Sequence, residues 1–140
     1  MKIMISGSMA FAKEMVAAKK ELESEGHEVF VPHDIEEHLE NPGFVDDLAG
    51  NLQHVIETDI MRKCFDLVAK SDAVLVLNLH RKGIHGYIGT STLMEIGLAY
   101  YLGKKLFLYN DIPHWDEVRW AHEINIMQPI IIHRNLSKVK

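Results

Sequence analysis

The sequence predicts an α/β protein, a three-layer doubly wound sheet of five parallel strands in the flavodoxin-like order 2-1-3-4-5. Two observations lead to this prediction. Short apolar runs alternate along the chain with longer segments of helical periodicity, which is the pattern of parallel strands joined by crossover helices. Residues 73–78 form the most continuous apolar run, as expected for a strand that is covered on both faces.

The chain opens with a β-turn-α-β unit, the first half of such a sheet. Residues 2–6 are the first predicted strand. Ser8 is the predicted N-cap of the following helix, and Gly26 its C-cap. A second strand is predicted over residues 27–32, and the proline at its end suits a strand terminus.

A long polar segment, residues 34–50, follows the second strand and contains an Asn-Pro-Gly turn. This length is typical of a lid or binding loop, and equally of a surface loop that contains a short helix. The apolar spacing over residues 51–70 predicts one helix. Cys64 lies on its buried stripe and is interpreted as a small core residue.

The second half of the chain continues the same alternation of apolar runs and helical periodicity. The predicted elements are the strand at 73–78, a loop at 79–89, a helix at 92–102 with Leu102 facing inward, a strand at 105–109, a helix at 113–126 with Trp115 on its inner side, a strand at 129–133 and a tail at 135–140.

Composition narrows the functional classes. A chain of 140 residues with 47% hydrophobic and 25% charged residues is expected to form a single domain over residues 1–140. Its net charge of -5 argues against a nucleic-acid binder. There is no apolar run of ~20 residues for a membrane span and no signal-peptide pattern. The single cysteine, Cys64, suits a cytoplasmic location.

The nine histidines raise the question of a metal. They include no His-Glu-x-x-His motif, and no cysteine pair accompanies them. We therefore expect neither a metal nor another cofactor.

The functional residues are expected at one edge of the sheet. In open α/β sheets, ligands bind beyond the carboxyl ends of the strands where the strand order reverses, here between strands one and three. Two Gly- and Ser/Thr-containing turns precede predicted helices at this edge, and helix N-termini bind anions. The predicted substrate-binding residues are Ser6, Gly7, Ser8, Met9, Asn78, Gly86, Tyr87, Gly89, Thr90 and Ser91.

Glu95 is the candidate catalytic residue of this edge. The position near a helix N-terminus is expected to favour its ionised form. The alternative is structural: Thr92-x-x-Glu95 fits a capping box, in which the carboxylate bonds back to the start of the helix.

Three segments in this order resemble the nucleoside 2-deoxyribosyltransferase superfamily, which includes the deoxynucleoside 5′-monophosphate N-glycosidases. The segments are ISGSM at residues 5–9, SDAVLVLN at 71–78 and GTSTLMEIGLA at 89–99, the last followed by Gly-Lys. The resemblance covers most of the chain, from residue 3 to about residue 109.

The resemblance implies cleavage or transfer of the N-glycosidic bond of a nucleoside or nucleotide. Glu95 matches the family's nucleophile, which attacks C1′ of the sugar as the base leaves. It also implies a homo-oligomer, a dimer or larger, in which a neighbouring subunit helps to close the site.

The chain departs from the family pattern at two auxiliary acids. Cys64 and Gly89 stand where family members carry aspartates, and Asp59 is the candidate replacement. Three alternatives remain open: a non-catalytic nucleotide-binding or sensing module, a nucleotide hydrolase similar to the cytokinin-activating phosphoribohydrolases, and a scaffold that assembles through the helix carrying Trp115 and Trp120.

Overall fold

The computed structural model describes residues 1–140 and contains one five-stranded sheet. All neighbouring strands are parallel, and their order is β2-β1-β3-β4-β5. This confirms the predicted fold class and strand order. The strands are β1 (Lys2–Ser6), β2 (Glu28–Phe30), β3 (Ala73–Val76), β4 (Lys105–Leu108) and β5 (Ile130–Ile131).

Helices cover both faces of this sheet. They are α1 (Ala12–Ser24), α2 (Ile35–Glu40), α3 (Leu48–Thr58), α4 (Ile60–Lys70), α5 (Thr90–Tyr101) and α6 (Trp120–Met127), with short 3₁₀ turns at Met9–Phe11, Pro42–Asp46 and Leu136–Lys138. None of these helices combines the length and the apolar character that crossing a membrane requires.

The core is divided by the sheet into two apolar layers, because successive side chains of a strand point to opposite faces. Ile3 and Ile5 of β1 pack on one face with Met15 of α1. On the other face, Met4 packs with residues of α4, α5 and α6, including Ile96. Every strand residue of β3 is buried, as the continuous apolar run predicted.

The single helix predicted over residues 51–70 is wrong, because the structure has two helices that meet at Asp59. The backbone of Asp59 is left-handed, with φ 52°, a conformation that Asp tolerates better than most residues. Only α4 lies on the sheet, where it buries Cys64, Leu67 and Val68. α3 buries no residue. No core contact therefore holds α3 in line with α4.

Four further predictions are wrong in the second half of the chain. The helix predicted from residue 113 begins only at Trp120, because His114 accepts local hydrogen bonds that form a turn instead. Trp115 is consequently 48% exposed, and Leu102 is 40% exposed. The predicted tail is folded, with Leu136 buried in the same apolar layer as α1.

Candidate functional site

A cavity of about 550 Å³ lies beyond the carboxyl ends of β1, β2 and β3 and includes the boundary between β1 and β3. Its walls come from the turn after β1, the segment between β2 and α3, one side of α4, the loop after β3 and the first turns of α5. This is the position at which the strand order reverses in the sheet. Parallel α/β sheets place their ligands at this edge.

Glu95 is buried in the wall of this cavity, with 7% of its surface exposed. The Ser6 hydroxyl, at the end of β1, donates a 2.7 Å hydrogen bond to Oε1 of Glu95. Burial raises the pKa of Glu95 to about 7, the Ser6 hydrogen bond opposes this rise, and the nearby charge of Asp34 adds to it.

Two predictions for Glu95 are corrected by this geometry. The helix begins at Thr90 with Gly89 as its N-cap, so Glu95 lies in the second turn, where the influence of the helix dipole has largely decayed. Burial therefore outweighs the expected preference for the ionised form. The capping-box alternative also fails, since the Glu95 carboxylate accepts its hydrogen bond from the Ser6 hydroxyl and not from the backbone at the start of the helix.

The turn after β1 lines the cavity with Gly7, Ser8 and Met9. Ser8 caps the 3₁₀ turn Met9–Phe11 rather than α1 itself, whose N-cap is Phe11, and the Ser8 hydroxyl accepts from the backbone N–H of Ala10 at 3.2 Å. A Cβ on Gly7 would lie 3.0 Å from the carbonyl oxygen of Leu77. The absence of a side chain at residue 7 thus lets β1 and the end of β3 approach closely beside the cavity.

The start of α5 forms a second wall, made of Gly89, Thr90, Ser91 and Thr92. No side chain caps this helix. The first backbone N–H groups of an α-helix have no acceptor within the helix. With the hydroxyls of the same turn, they form a region suited to an anion or to sugar hydroxyls.

Three of the predicted binding residues lie outside the cavity lining: Ser6, whose hydroxyl bonds to Glu95, and Asn78 and Gly86. The Asn78 side chain donates to the carbonyl of Asn110 at 2.8 Å and accepts from the Asn110 N–H at 2.9 Å, so both of its ends are used. Gly86 has φ 75°, and an added Cβ would collide with the carbonyl oxygen of Asp111. Asn78 and Gly86 both connect the loop after β3 to the segment after β4.

Asp59 is not brought to the cavity. It lies at the junction of α3 and α4, where its exposed carboxylate pairs with Arg62 at 3.0 Å. Cys64 does line the cavity, but burial raises the pKa of its thiol to about 12. Neither residue provides a second acid beside Glu95.

Sequence reasoning missed an acid that does line the cavity. Asp34 follows β2, is 5% exposed and accepts from Nε2 of His38 at 3.1 Å. His38 also lines the cavity. The topology rule could have identified Asp34, because it follows a strand at its carboxyl end. The polar composition of residues 34–50 suggested an exposed segment instead.

The loop after β3 brings two cations to the cavity. Arg81 pairs with Asp46 at 2.6 Å and Lys82 with the same carboxylate at 3.6 Å. The Arg81 guanidinium also lies 5.5 Å from the ring centre of Tyr87, a predicted binding residue that lines the cavity. No group of three or more His, Cys, Asp or Glu side chains is arranged to hold a metal ion.

Comparison with known proteins supports the fold assignment. No protein-family model and no curated protein sequence matches the chain. Among solved structures, the chain is similar to the Clostridium botulinum CMP N-glycosidase BcmB, with 16% sequence identity and a TM-score of 0.51. The match covers 99% of this chain and 93% of that protein. The chain therefore has a fold found in an N-glycosidase.

Proposed function

We propose that this protein cleaves the N-glycosidic bond of a nucleotide, with Glu95 as the nucleophile. The observation that carries the proposal is the buried Glu95 carboxylate in the cavity wall, held by the Ser6 hydroxyl at 2.7 Å. A carboxylate at such a position stabilises or captures the oxocarbenium-like transition state of glycosyl transfer. The similarity to a CMP N-glycosidase fold supports the same reaction class.

In the proposed reaction, an oxygen of ionised Glu95 forms a bond to C1′ as the bond from C1′ to the base nitrogen breaks. The electron pair leaves with the base, which takes up a proton from solvent. Water then attacks C1′ and loses a proton to solvent as the bond from C1′ to Glu95 breaks. The products are the regenerated carboxylate and the free sugar phosphate. A second base in place of water would give transfer. With a pKa of about 7, Glu95 is ionised in about half of the molecules at neutral pH.

The cations of the cavity favour a nucleotide over a nucleoside. Arg81 and Lys82 line the same cavity as Ser8 and the first turn of α5. Arginine guanidinium groups and helix N-termini both bind phosphate oxygens. We therefore assign the 5′-phosphate to this region, where it would compete with Asp46 for Arg81.

The proposal is tested by incubating the protein with nucleosides and nucleoside 5′-monophosphates and measuring free base by chromatography. Glu95→Gln should reduce base release by at least roughly 10³-fold, because it removes the nucleophile. Glu21→Gln, on the exposed side of α1, is the matched control and should leave the rate unchanged. A 2-fluoro-2-deoxy substrate should leave a sugar adduct on Glu95 that mass spectrometry detects. Base release by Glu95→Gln at the wild-type rate would contradict the mechanism.

A second candidate is a nucleotide-binding or sensing module without turnover. The structure favours it in one respect, since Cys64 and Gly89 line the cavity and neither supplies an acid at neutral pH. This candidate predicts binding of a nucleotide by calorimetry with no release of base over long incubation.

We also infer that residues 1–140 form a single domain and that this domain assembles into a homo-oligomer. The proposed location is the cytoplasm. Apolar side chains on α3 support the assembly: Leu48 is 73% exposed, Leu52 60% and Ile56 62%. Tyr100, at 54% exposed, is a further apolar contact candidate, whereas Trp120 packs on the core of its own chain. Light scattering of the wild type and of Leu52→Asp tests this, because the charged variant should be monomeric.

A further inference from the structure

We propose that Asp34 and His38 recognise an exocyclic amino group on the base of the bound nucleotide. The inference rests on the proposed function for the identity of the ligand as a nucleotide. Both residues line the cavity that holds Glu95, and each side chain, taken without its backbone, is only 7% exposed.

Both residues carry an unpaired polar atom. Oδ2 of Asp34 is paired with Nε2 of His38 at 3.1 Å. Oδ1 of Asp34 and Nδ1 of His38 are buried, yet they have no hydrogen-bond partner. A buried acceptor without a partner costs about 1–3 kcal/mol, and more if it is charged. A ligand in the cavity can provide the donors that these atoms lack.

The two unpaired atoms determine which kind of ligand group can bind to them. A carboxylate only accepts hydrogen bonds, and in a neutral imidazole one nitrogen donates while the other accepts. Because Nε2 of His38 faces the carboxylate, we place the proton there, and Nδ1 is left as an acceptor. The pair therefore holds two unpaired acceptors just beneath the cavity wall, and a ligand reaches them when the Asp34 carboxylate or the His38 ring rotates. An amino group, with two N–H donors, is the base substituent that matches them.

This pair lines the same cavity as the reacting centre, since Asp34, Cys64 and Glu95 all contribute to its wall. Arg81 and Lys82 enter from a different segment, the loop after β3. A nucleotide with its sugar at Glu95 can thus place its phosphate at the cations and its base at Asp34.

The experiment measures binding of matched nucleotides to the Glu95→Gln variant, which prevents turnover. Cytidine and uridine 5′-monophosphates form one pair, and adenosine and inosine 5′-monophosphates the other. Each pair differs by an amino group against a keto group. Calorimetry should give at least roughly tenfold tighter binding of the amino member, since a buried acceptor is otherwise left unpaired.

Asp34→Asn, added to this background, should abolish or invert that preference, because the asparagine amide can donate to a keto oxygen. His38→Gln is the second variant and should reduce the preference by removing one acceptor and the support of Asp34. Glu36→Gln, on the exposed side of α2, is the control and should retain it. Circular dichroism checks that each variant is folded.

Equal binding of both members of each pair, or an unchanged preference in folded Asp34→Asn, would overturn the inference. Its failure is separate from that of the proposed function. Base release from amino and keto nucleotides at equal efficiency keeps the reaction and rejects amino-group recognition. An amino preference in binding, lost in Asp34→Asn, keeps the recognition even if no base is released.

Discussion

The hydroxyl of Ser6 donates a 2.7 Å hydrogen bond to the carboxylate of Glu95 across 89 residues of sequence. Ser6 is fully buried, at 0% exposed, at the carboxyl end of β1. Glu95 lies in the second turn of α5. This bond connects the end of β1 to α5 and helps to determine where the Glu95 carboxylate lies in the cavity.

The first prediction concerns this bond. Ser6→Ala should raise the pKa of Glu95, because the Ser6 hydrogen bond lowers it in the wild type. The acid limb of the kcat/KM profile should move to higher pH, and activity at pH 6 should fall roughly tenfold. Activity at pH 9 should approach that of the wild type, which a purely structural defect would not allow. Ser24→Ala, an exposed serine that donates to the backbone, is the control.

The second prediction is the dependence of stability on pH. The pKa of Glu95 in the folded protein is about 7, against an ordinary value of 4.5. The native state therefore holds this proton more tightly than the unfolded state. Its contribution to stability is complete below pH 4.5 and is lost as the pH rises through about 7.

Glu95→Gln should consequently be more stable than the wild type at pH 8, by up to about 3 kcal/mol, with little difference at pH 4.5. Urea denaturation of both proteins at the two pH values measures this. Comparing the two proteins cancels the titration of the other groups. A difference that does not change with pH would show that Glu95 is not the titrating group.

The third prediction concerns the Arg81–Asp46 ion pair at the cavity. Asp46→Asn should strengthen binding of a nucleoside 5′-monophosphate severalfold, because Arg81 no longer pairs with a protein carboxylate. Arg81→Gln should weaken it by roughly tenfold and leave nucleoside binding unchanged. Arg62→Gln, an exposed arginine paired with Asp59, is the control. Calorimetry measures the affinity of each of the three variants for a nucleotide and for its nucleoside. Equal changes in affinity for both ligands would contradict the placement of the 5′-phosphate at Arg81.

The fourth prediction separates a structural from a binding role for Asn78. Asn78→Ala removes the two hydrogen bonds of its side chain with Asn110 and leaves a buried amide without a partner. The free energy of unfolding should fall by about 2–4 kcal/mol. Ligand affinity of the folded protein should change less than twofold, because Asn78 does not line the cavity. The exposed Asn41→Ala should change neither quantity, and a loss of affinity without a loss of stability would restore the binding role.

The fifth prediction concerns Gly86. Gly86→Ala should destabilise the protein by more than about 2 kcal/mol, since its φ is 75° and the new Cβ meets the Asp111 carbonyl. Gly97→Ala is the matched control, because it lies in α5 and an added Cβ meets nothing within 4 Å. That variant should be stabilised by about 0.5–1 kcal/mol. Denaturation midpoints distinguish the two substitutions.

Part of the candidate site could be predicted because topology follows from local patterns. The alternation of apolar runs and helices determined the strand order, and strand order determined the edge at which Ser6 and Glu95 meet. Asp34 was missed because its burial depends on tertiary packing, in which α2 contacts α1 and the 3₁₀ turn Met9–Phe11, and no local pattern encodes such packing. The break at Asp59 was missed for a related reason: α3 has the apolar spacing of a core helix but no sheet beneath it.

The sequence by itself determined the parallel sheet and the glycine- and serine-containing turns at its carboxyl edge, because periodicity and turn chemistry are local properties. It also identified Glu95 as the carboxylate to examine. The tertiary structure decided the ionisation of that carboxylate, because desolvation depends on all of the groups that surround it. Tertiary contacts likewise decided which polar residues line the cavity, with Asn78 fully bonded to Asn110 and Asp34 left with an unpaired oxygen.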